Sequence, residues 1–337
     1  MYSKTKAAIQ TLIQKQVIPG AQVAFMQADH VTTYCWGAAQ TYPQRQPLYP
    51  NQLYDLASLT KVIGTTTLIL QLVEQGRLQL TDPVQRYLPA VKDQRIQIWH
   101  LLTHTANFTG YIPHRNKLPA DQLKTALLGL TFGDQVGQVV KYSDIGLIYC
   151  GWIIETFYHQ PIQTVIQHQV LQPLGMAQST FQPDPALCVP TAYEPQGRGL
   201  LQGVVHDPKA FILKAHCGSA GLFAPLSDLI QFGHFMLGDL KVSQPILQRL
   251  TIERLPQDAT HCQGERGIGW DLLASHTADQ HWLLYHTGYV GHVLLFDLQQ
   301  HTGFIFLSNR IHPTAPNEAF IPLRDQLVAT YLTENAE

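Results

Sequence analysis

Strand-like patterning occurs at both ends of this 337-residue chain, and a long stretch of helical and loop patterns separates the two sets. Residues 21–27 and 30–36 read as two strands joined by a turn at Ala28-Asp29. Residues 267–272, 281–286, 290–298 and 303–309 read as four more, the last two joined through Gln300-His301-Thr302. A few isolated strands are unstable in water, so strands from the two ends are expected to share one sheet. The predicted fold class is α+β: an antiparallel sheet from both chain termini flanked by helices, with an inserted mainly helical subdomain. The sheet part covers about residues 1–57 and 265–337, the helical part about 58–264, and together they make one domain.

Helical periodicity fills in the rest. Residues 3–16 place Ala8, Ile9, Leu12 and Ile13 on one face before Pro19-Gly20 stops the helix. A helix is expected from Ser58 to about residue 75, with Gly76 as its C-cap, and Asp82-Pro83 reads as a helix start. Further helices are expected at 98–104, 146–157, 161–170, 226–237 (with Ser227 as a cap) and 317–332. With 45% hydrophobic residues the chain can build a large core. Its formal net charge of −2, without a basic run, excludes nucleic acid and acidic membranes as partners. The first residues lack the apolar stretch of a secretory signal, and the longest uncharged apolar run, 62–73, is too short to span a bilayer, so a cytoplasmic protein is expected. Five scattered cysteines without a C-x-x-C pair argue against a disulfide framework or a zinc cage.

The chemistry centres on Asp55-Leu-Ala-Ser58-Leu-Thr-Lys61. Positions i and i+3 share a helix face, so Ser58 and Lys61 can bring hydroxyl and amine together. A serine hydroxyl is a poor nucleophile until a base takes its proton, and lysine is that base only when its pKa is lowered. A serine before a helical run also serves as an N-cap, so the reading depends on context. Two further stretches supply it: Tyr142-Ser143-Asp144 precedes a helical run, and His286-Thr287-Gly288 ends a strand. A cleft between sheet and helical part would be lined by all three.

Taken in order, Ser58-Leu-Thr-Lys61, Leu101-Leu-Thr-His-Thr105, Tyr142-Ser-Asp144, Gly218-Ser-Ala-Gly-Leu222 and His286-Thr-Gly288 resemble the motifs of the serine penicillin-recognising family. That family holds class C β-lactamases, D-alanyl-D-alanine carboxypeptidases and related esterases and D-aminopeptidases. The resemblance implies a β-lactamase/transpeptidase-like fold with Ser58 as the acylated nucleophile, Lys61 as its proton acceptor and Tyr142 as a proton relay. The N–H groups of Ser58 and Tyr289 would form the oxyanion hole, and Thr287 would hydrogen-bond a substrate carboxylate or carbonyl. Asp144, His286 and Gly288 complete the substrate-binding set, with no cofactor and no metal.

Two departures from the family pattern bear on this. Asp144 stands where asparagine is usual, and a carboxylate beside Lys61 raises the lysine pKa, the wrong direction for a base. The order Tyr-Ser-Asp also allows Ser143 instead of Tyr142 to supply the hydroxyl. His286 stands where β-lactamases have lysine, and a histidine near its reference pKa of about 6.5 is largely neutral at pH 7 and a weaker carboxylate anchor. His100 and His104, at i and i+4, are read as packing and capping residues because no glutamate or third ligand accompanies them. Gly218-Ser-Ala-Gly221 lacks nucleophile-elbow spacing and reads as a tight turn lining the cleft. Tyr111, Trp270, Tyr289 and His292 are candidates to line the pocket, with a place in the core as the alternative for each.

The sequence therefore points to a serine hydrolase acting through an acyl-enzyme on a small ester, amide or β-lactam, with its oligomeric state open. Carboxylesterase-like activity is preferred over β-lactamase because of His286, and over peptidoglycan carboxypeptidase because no export signal is visible. A penicillin-binding-like sensor or scaffold is the non-catalytic alternative.

Overall fold

The two sets of strands do meet. The computed structural model describes residues 1–27, 30–240, 246–257 and 266–337; the expected turn at Ala28-Asp29 and Cys262 fall outside them. Among the described residues one sheet has seven strands: β1 (Gly20–Gln27), β2 (His30–Gln40), β3 (Gln46–Pro47), β4 (Asp271–Ala274), β5 (Trp282–Gly288), β6 (His292–Asp297) and β7 (Thr302–Ser308). Their order is β4-β5-β6-β7-β1-β2-β3. Every pairing is antiparallel, and β1 against β7, from Ala21 opposite Ser308 to Gln27 opposite Thr302, joins the two ends of the chain.

Strand alternation divides the inner strands between two cores. Val23 and Phe25 of β1, Val293 and Leu295 of β6, and Phe304 and Phe306 of β7 face one cluster with the terminal helices Ser3–Gln14 and Phe320–Ala336. Ala24, Met26, Leu294, Phe296, Ile305 and Leu307 face the other, with the helical part of the chain. Each fully buried apolar side chain of this size contributes about 1.5–3 kcal/mol, so both faces of the sheet are covered at a gain. Helix Leu226–Leu237 lies on the second face, and Gly233 permits its approach, since a Cβ there would come within 2.5 Å of the Met26 sulfur.

The N-terminal helix has no side-chain cap of its own. Glu334 takes that role from the C-terminal helix, its Oε1 accepting from Lys4 N and its Oε2 from Thr5 N, both at 2.8 Å. A carboxylate at a helix N-terminus satisfies otherwise unpaired N–H groups and the positive helix end.

Several expected elements differ in detail. The helix beginning at Ser58 is a turn followed by a π-helical segment, Lys61–Thr66, and then an α-helix, Thr67–Glu74. The helix expected at 161–170 is likewise α over Ile162–Ile166 and π over Gln167–Leu171. The two meet closely: a Cβ at Gly64 would sit 2.6 Å from Ile166 Cδ1. Ser227 is not a cap, because Pro225 occupies the N-cap of its helix. Pro83 stands at the N-cap, not N1, of a 3-10 turn Val84–Arg86. Asp82 instead accepts from Gln79 N and Tyr87 Oη. Among the described residues, no helix is long and apolar enough to cross a membrane.

Candidate active site

The nucleophile segment is held from several sides. Tyr54–Asp55 pairs with Phe223–Ala224, and Leu56 N donates to Leu222 O at 2.9 Å. The buried Asp55 carboxylate accepts from Ala57 N at 3.0 Å and His206 N at 2.7 Å, and burial pushes its pKa up to about 6. Ala57 has φ +46°, a left-handed conformation that non-glycine residues adopt rarely. Its tight bend turns the chain from this extended stretch into the helical turn, and Ser58 is left half-buried.

Two side chains converge on Ser58 Oγ, one from its own turn and one from 84 residues away. Lys61 Nζ lies 2.7 Å away, and Tyr142 Oη donates to it at 2.9 Å. Lys61 Nζ also donates to Ser219 O at 3.0 Å and pairs with Asp144 Oδ1 at 2.8 Å. An ammonium has three N–H donors, and here all three have acceptors. Burial alone would push the Lys61 pKa down, but the Asp144 carboxylate and the Tyr142 hydroxyl outweigh it and hold the amine well above its ordinary value. Burial would raise Asp144; Lys61 and Lys209 together keep it well below the usual carboxylate range. Lys61 is therefore an ammonium at neutral pH. This is the direction that the Asp144 departure implied, and it sets a charged amine against the expected role of Lys61 as resting proton acceptor.

Asp144 opens the helix Asp144–Tyr158, and Ser143 Oγ caps it by accepting from Ile145 N at 3.2 Å. Of the two hydroxyls left open by the sequence, the structure brings Tyr142 to Ser58 and gives Ser143 the cap. His104 packs against Tyr142 with the rings tilted and their centroids 4.4 Å apart, and its Nδ1 accepts from Ser143 N at 3.2 Å, which leaves the ring proton on Nε2. His100 Nδ1 accepts from Gln97 N in a capping box. Both histidines of the i, i+4 pair thus serve packing and capping.

The strand end lies opposite. His286 is only 1% exposed, and its Nδ1–H donates to Thr287 O at 3.0 Å. Burial, reinforced by Arg266 and Lys61, pushes its pKa well below the ordinary histidine value. Its surroundings therefore favour the neutral imidazole more strongly than its reference value alone does. Thr287 is half-buried, and Gly288 is required where it stands, since a Cβ would come within 2.8 Å of Leu56 O. His292 Nε2–H donates to Asp55 O at 2.8 Å, tying the β5–β6 hairpin to the nucleophile segment. Tyr289 is exposed, stacks on His206 with centroids 5.3 Å apart, and is braced by Arg310, whose Nε donates to Tyr289 O at 2.8 Å. Among the described residues neither Ser58 N nor Tyr289 N has an acceptor in the protein.

Two pocket candidates take the core alternative. Trp270, 2% exposed, packs in the core against Phe232 and Phe296, and His292 is wholly buried as a structural bridge. Tyr111 borders a cavity of about 470 Å³ with His114, Arg115, Lys117 and Ile145, the residue after Asp144. Sequence reasoning missed the Ser219 carbonyl as a ligand of Lys61, and Lys209, whose Nζ lies 3.0 Å from both Asp144 Oδ2 and Asp207 Oδ2. Ser219 lies in the glycine-flanked turn that the sequence singled out, whereas Lys209 carries no local signal and reaches the site only through folding.

A serine and lysine one turn apart at the start of a helical segment, a tyrosine from the helical part and a strand end opposite define a serine hydrolase of the penicillin-recognising type. The chain belongs to the Beta-lactamase family, whose model matches residues 5–328. A Salmonella typhimurium protein bearing the assigned name D-alanyl-D-alanine carboxypeptidase is 25% identical over an alignment of 366 positions, covering 92% of this chain and 84% of that protein. A class C β-lactamase superimposes with a TM-score of 0.78 at 20% identity, covering 98% of this chain and 96% of its own. EstCE1, a hydrolase with promiscuous acyltransferase activity, does so with a TM-score of 0.75 at 22% identity, covering 98% and 97%.

Proposed function

We propose that this hydrolase is carboxylesterase-like and acts on small neutral esters or amides through an acyl-enzyme on Ser58. The observation that carries the reading is the meeting of Lys61 Nζ and Tyr142 Oη at Ser58 Oγ. Ser58 Oγ bonds to the substrate carbonyl carbon. Its proton passes to Tyr142 Oη, and the phenol proton of Tyr142 passes to the departing oxygen or nitrogen. Water then attacks the acyl carbon, with Tyr142 relaying protons in the reverse sense, and returns Ser58. Lys61 contributes as a fixed positive charge beside the forming alkoxide. Ser58 N and Tyr289 N are the proposed donors to the oxyanion, each typically worth about 10²–10³ in rate. Thr287 is proposed to bond the substrate carbonyl side.

Preference for neutral substrates rests on His286, which is neutral and buried where the family's β-lactamases have lysine. The test is intact-mass analysis after incubation with a serine-reactive phosphonate and, separately, with a penicillin, alongside turnover of a chromogenic ester. One phosphonate on the peptide carrying Ser58 is expected, with ester turnover reduced up to about 10⁶-fold by Ser58→Ala. Faster turnover of penicillin than of ester would move the reading to β-lactamase; labelling without turnover of either would move it to a sensor or scaffold.

A further inference from the structure

Lysine is among the residues least often fully buried, and one that is buried requires a partner. Lys209 is 7% exposed. It lies in the first turn of helix Pro208–Leu213, whose N-cap Asp207 accepts from Ala210 N at 2.8 Å through Oδ1. Its Nζ lies 3.0 Å from Asp207 Oδ2 and 3.0 Å from Asp144 Oδ2. The other oxygen of Asp144, Oδ1, faces Lys61 Nζ at 2.8 Å. Two ammonium groups and two carboxylates thus alternate in a line, Asp207, Lys209, Asp144, Lys61, ending 2.7 Å from Ser58 Oγ.

The sum of these four charges is zero. With asparagine at 144, the residue usual in the family, the group would hold two cations and one anion. Burial of an uncompensated charge is costly, so the aspartate and the second lysine belong together. The division of one carboxylate between two ammonium groups also fixes its plane, and that plane sets where Lys61 Nζ stands relative to Ser58. The neighbouring residue reinforces this: His206 N–H donates to Asp55 at 2.7 Å, and its ring stacks on Tyr289. The segment 206–209 therefore touches the nucleophile turn, the strand end and Asp144.

We propose that Lys209 is a positioning residue for the reaction: it acts through Asp144 on Lys61, and Asp144 and Lys209 form one coupled pair in place of the usual asparagine. The proposal rests on the acyl-enzyme reading above. Its test is the rate of phosphonate labelling of Ser58 as a function of pH in the wild type, K209M, D144N and the double variant, with thermal melting of each as a control for folding. Loss of one charge-assisted bond predicts K209M labelling about 10- to 100-fold slower than wild type. Without Lys209 the Asp144 carboxyl takes up a proton more easily, so the acidic limb of the K209M profile is expected to move to higher pH. D144N should be slowed at least as much, and D144N/K209M should be faster than D144N because the remaining Lys61 and Asp207 charges cancel. K209M with the wild-type rate and an unmoved limb overturns the proposal whether or not D144N folds. So does a double variant showing the product of the two single losses. No labelling of Ser58 in the wild type is a different result and overturns the acyl-enzyme reading itself.

Discussion

The two walls of the site bury ionisable groups in opposite ways. On the helical wall, Lys61 and Lys209 are 1% and 7% exposed, and both are held above the ordinary lysine pKa. Asp144 and Asp207 lie against them at 2.8–3.0 Å. On the sheet wall, His286 and His292 are equally buried but meet backbone groups, Thr287 O, Asp55 O and Ser308 N, and both are held below the ordinary histidine pKa. Burial opposes the charged form on both sides. Where a carboxylate lies within hydrogen-bond distance the charge survives, and where only peptide groups do the side chain is neutral. A charged wall thus faces a neutral one across Ser58.

Acidification should strain most the buried histidines that lack a carboxylate partner. His100 in the helical part and His292 and His312 in the sheet part are buried with pKa values lowered to about 4, chiefly by desolvation, and His104 in the helical part and His286 on the sheet wall are held well below the ordinary value. An unfolded histidine titrates near 6.5, so between that pH and the folded value the unfolded chain binds more protons and stability falls as pH falls. Each of the three held at about 4 is expected to remove on the order of 2 kcal/mol between pH 7 and pH 5. Asp55, raised to about 6, works the other way, since the folded form gains its proton first, and restores roughly 1 kcal/mol over the same range. Unfolding free energies measured by denaturant at the two pH values should therefore differ by several kcal/mol in favour of pH 7; equal values would refute the neutral state of these histidines.

On the charged wall, Asp144→Ala leaves Lys61 and Lys209 with Asp207 as the remaining carboxylate. A buried pair broken on one side costs about 3–5 kcal/mol, and guanidinium unfolding at pH 7 measures it. A cost near zero would mean that water already screens the lysines. A smaller effect, about 1–3 kcal/mol, is expected from His286→Lys, which places an amine on the sheet wall without a carboxylate. The variant should regain stability above about pH 9, where an amine sheds its proton more readily. Unchanged stability at pH 7 together with an ordinary lysine titration would show that the walls do not differ.

Local periodicity carried much of the fold. The helix at Leu226–Leu237 lies where its pattern predicts, Gly76 has the left-handed φ of +66° expected after a helix, and the terminal strands share one sheet. Ser58 and Lys61 were legible because a three-residue spacing becomes proximity on any helical turn. The π-helical stretches at Lys61–Thr66 and Gln167–Leu171 were not, because their side chains also fit an α pattern and their close packing, as at Gly64 against Ile166, lies between distant segments.

What the sequence determined by itself was therefore the kind of element at each place, the order of the motifs and the chemical identity of Ser58, Lys61 and Tyr142. Tertiary structure decided which groups share a hydrogen bond and which protons they keep. Lys209 and the Ser219 carbonyl lie 148 and 158 residues from Lys61 and reach its surroundings only in the folded chain. Ionisation follows the same rule, since desolvation and the nearest opposite charge set it, and both are properties of packed neighbours and not of sequence spacing.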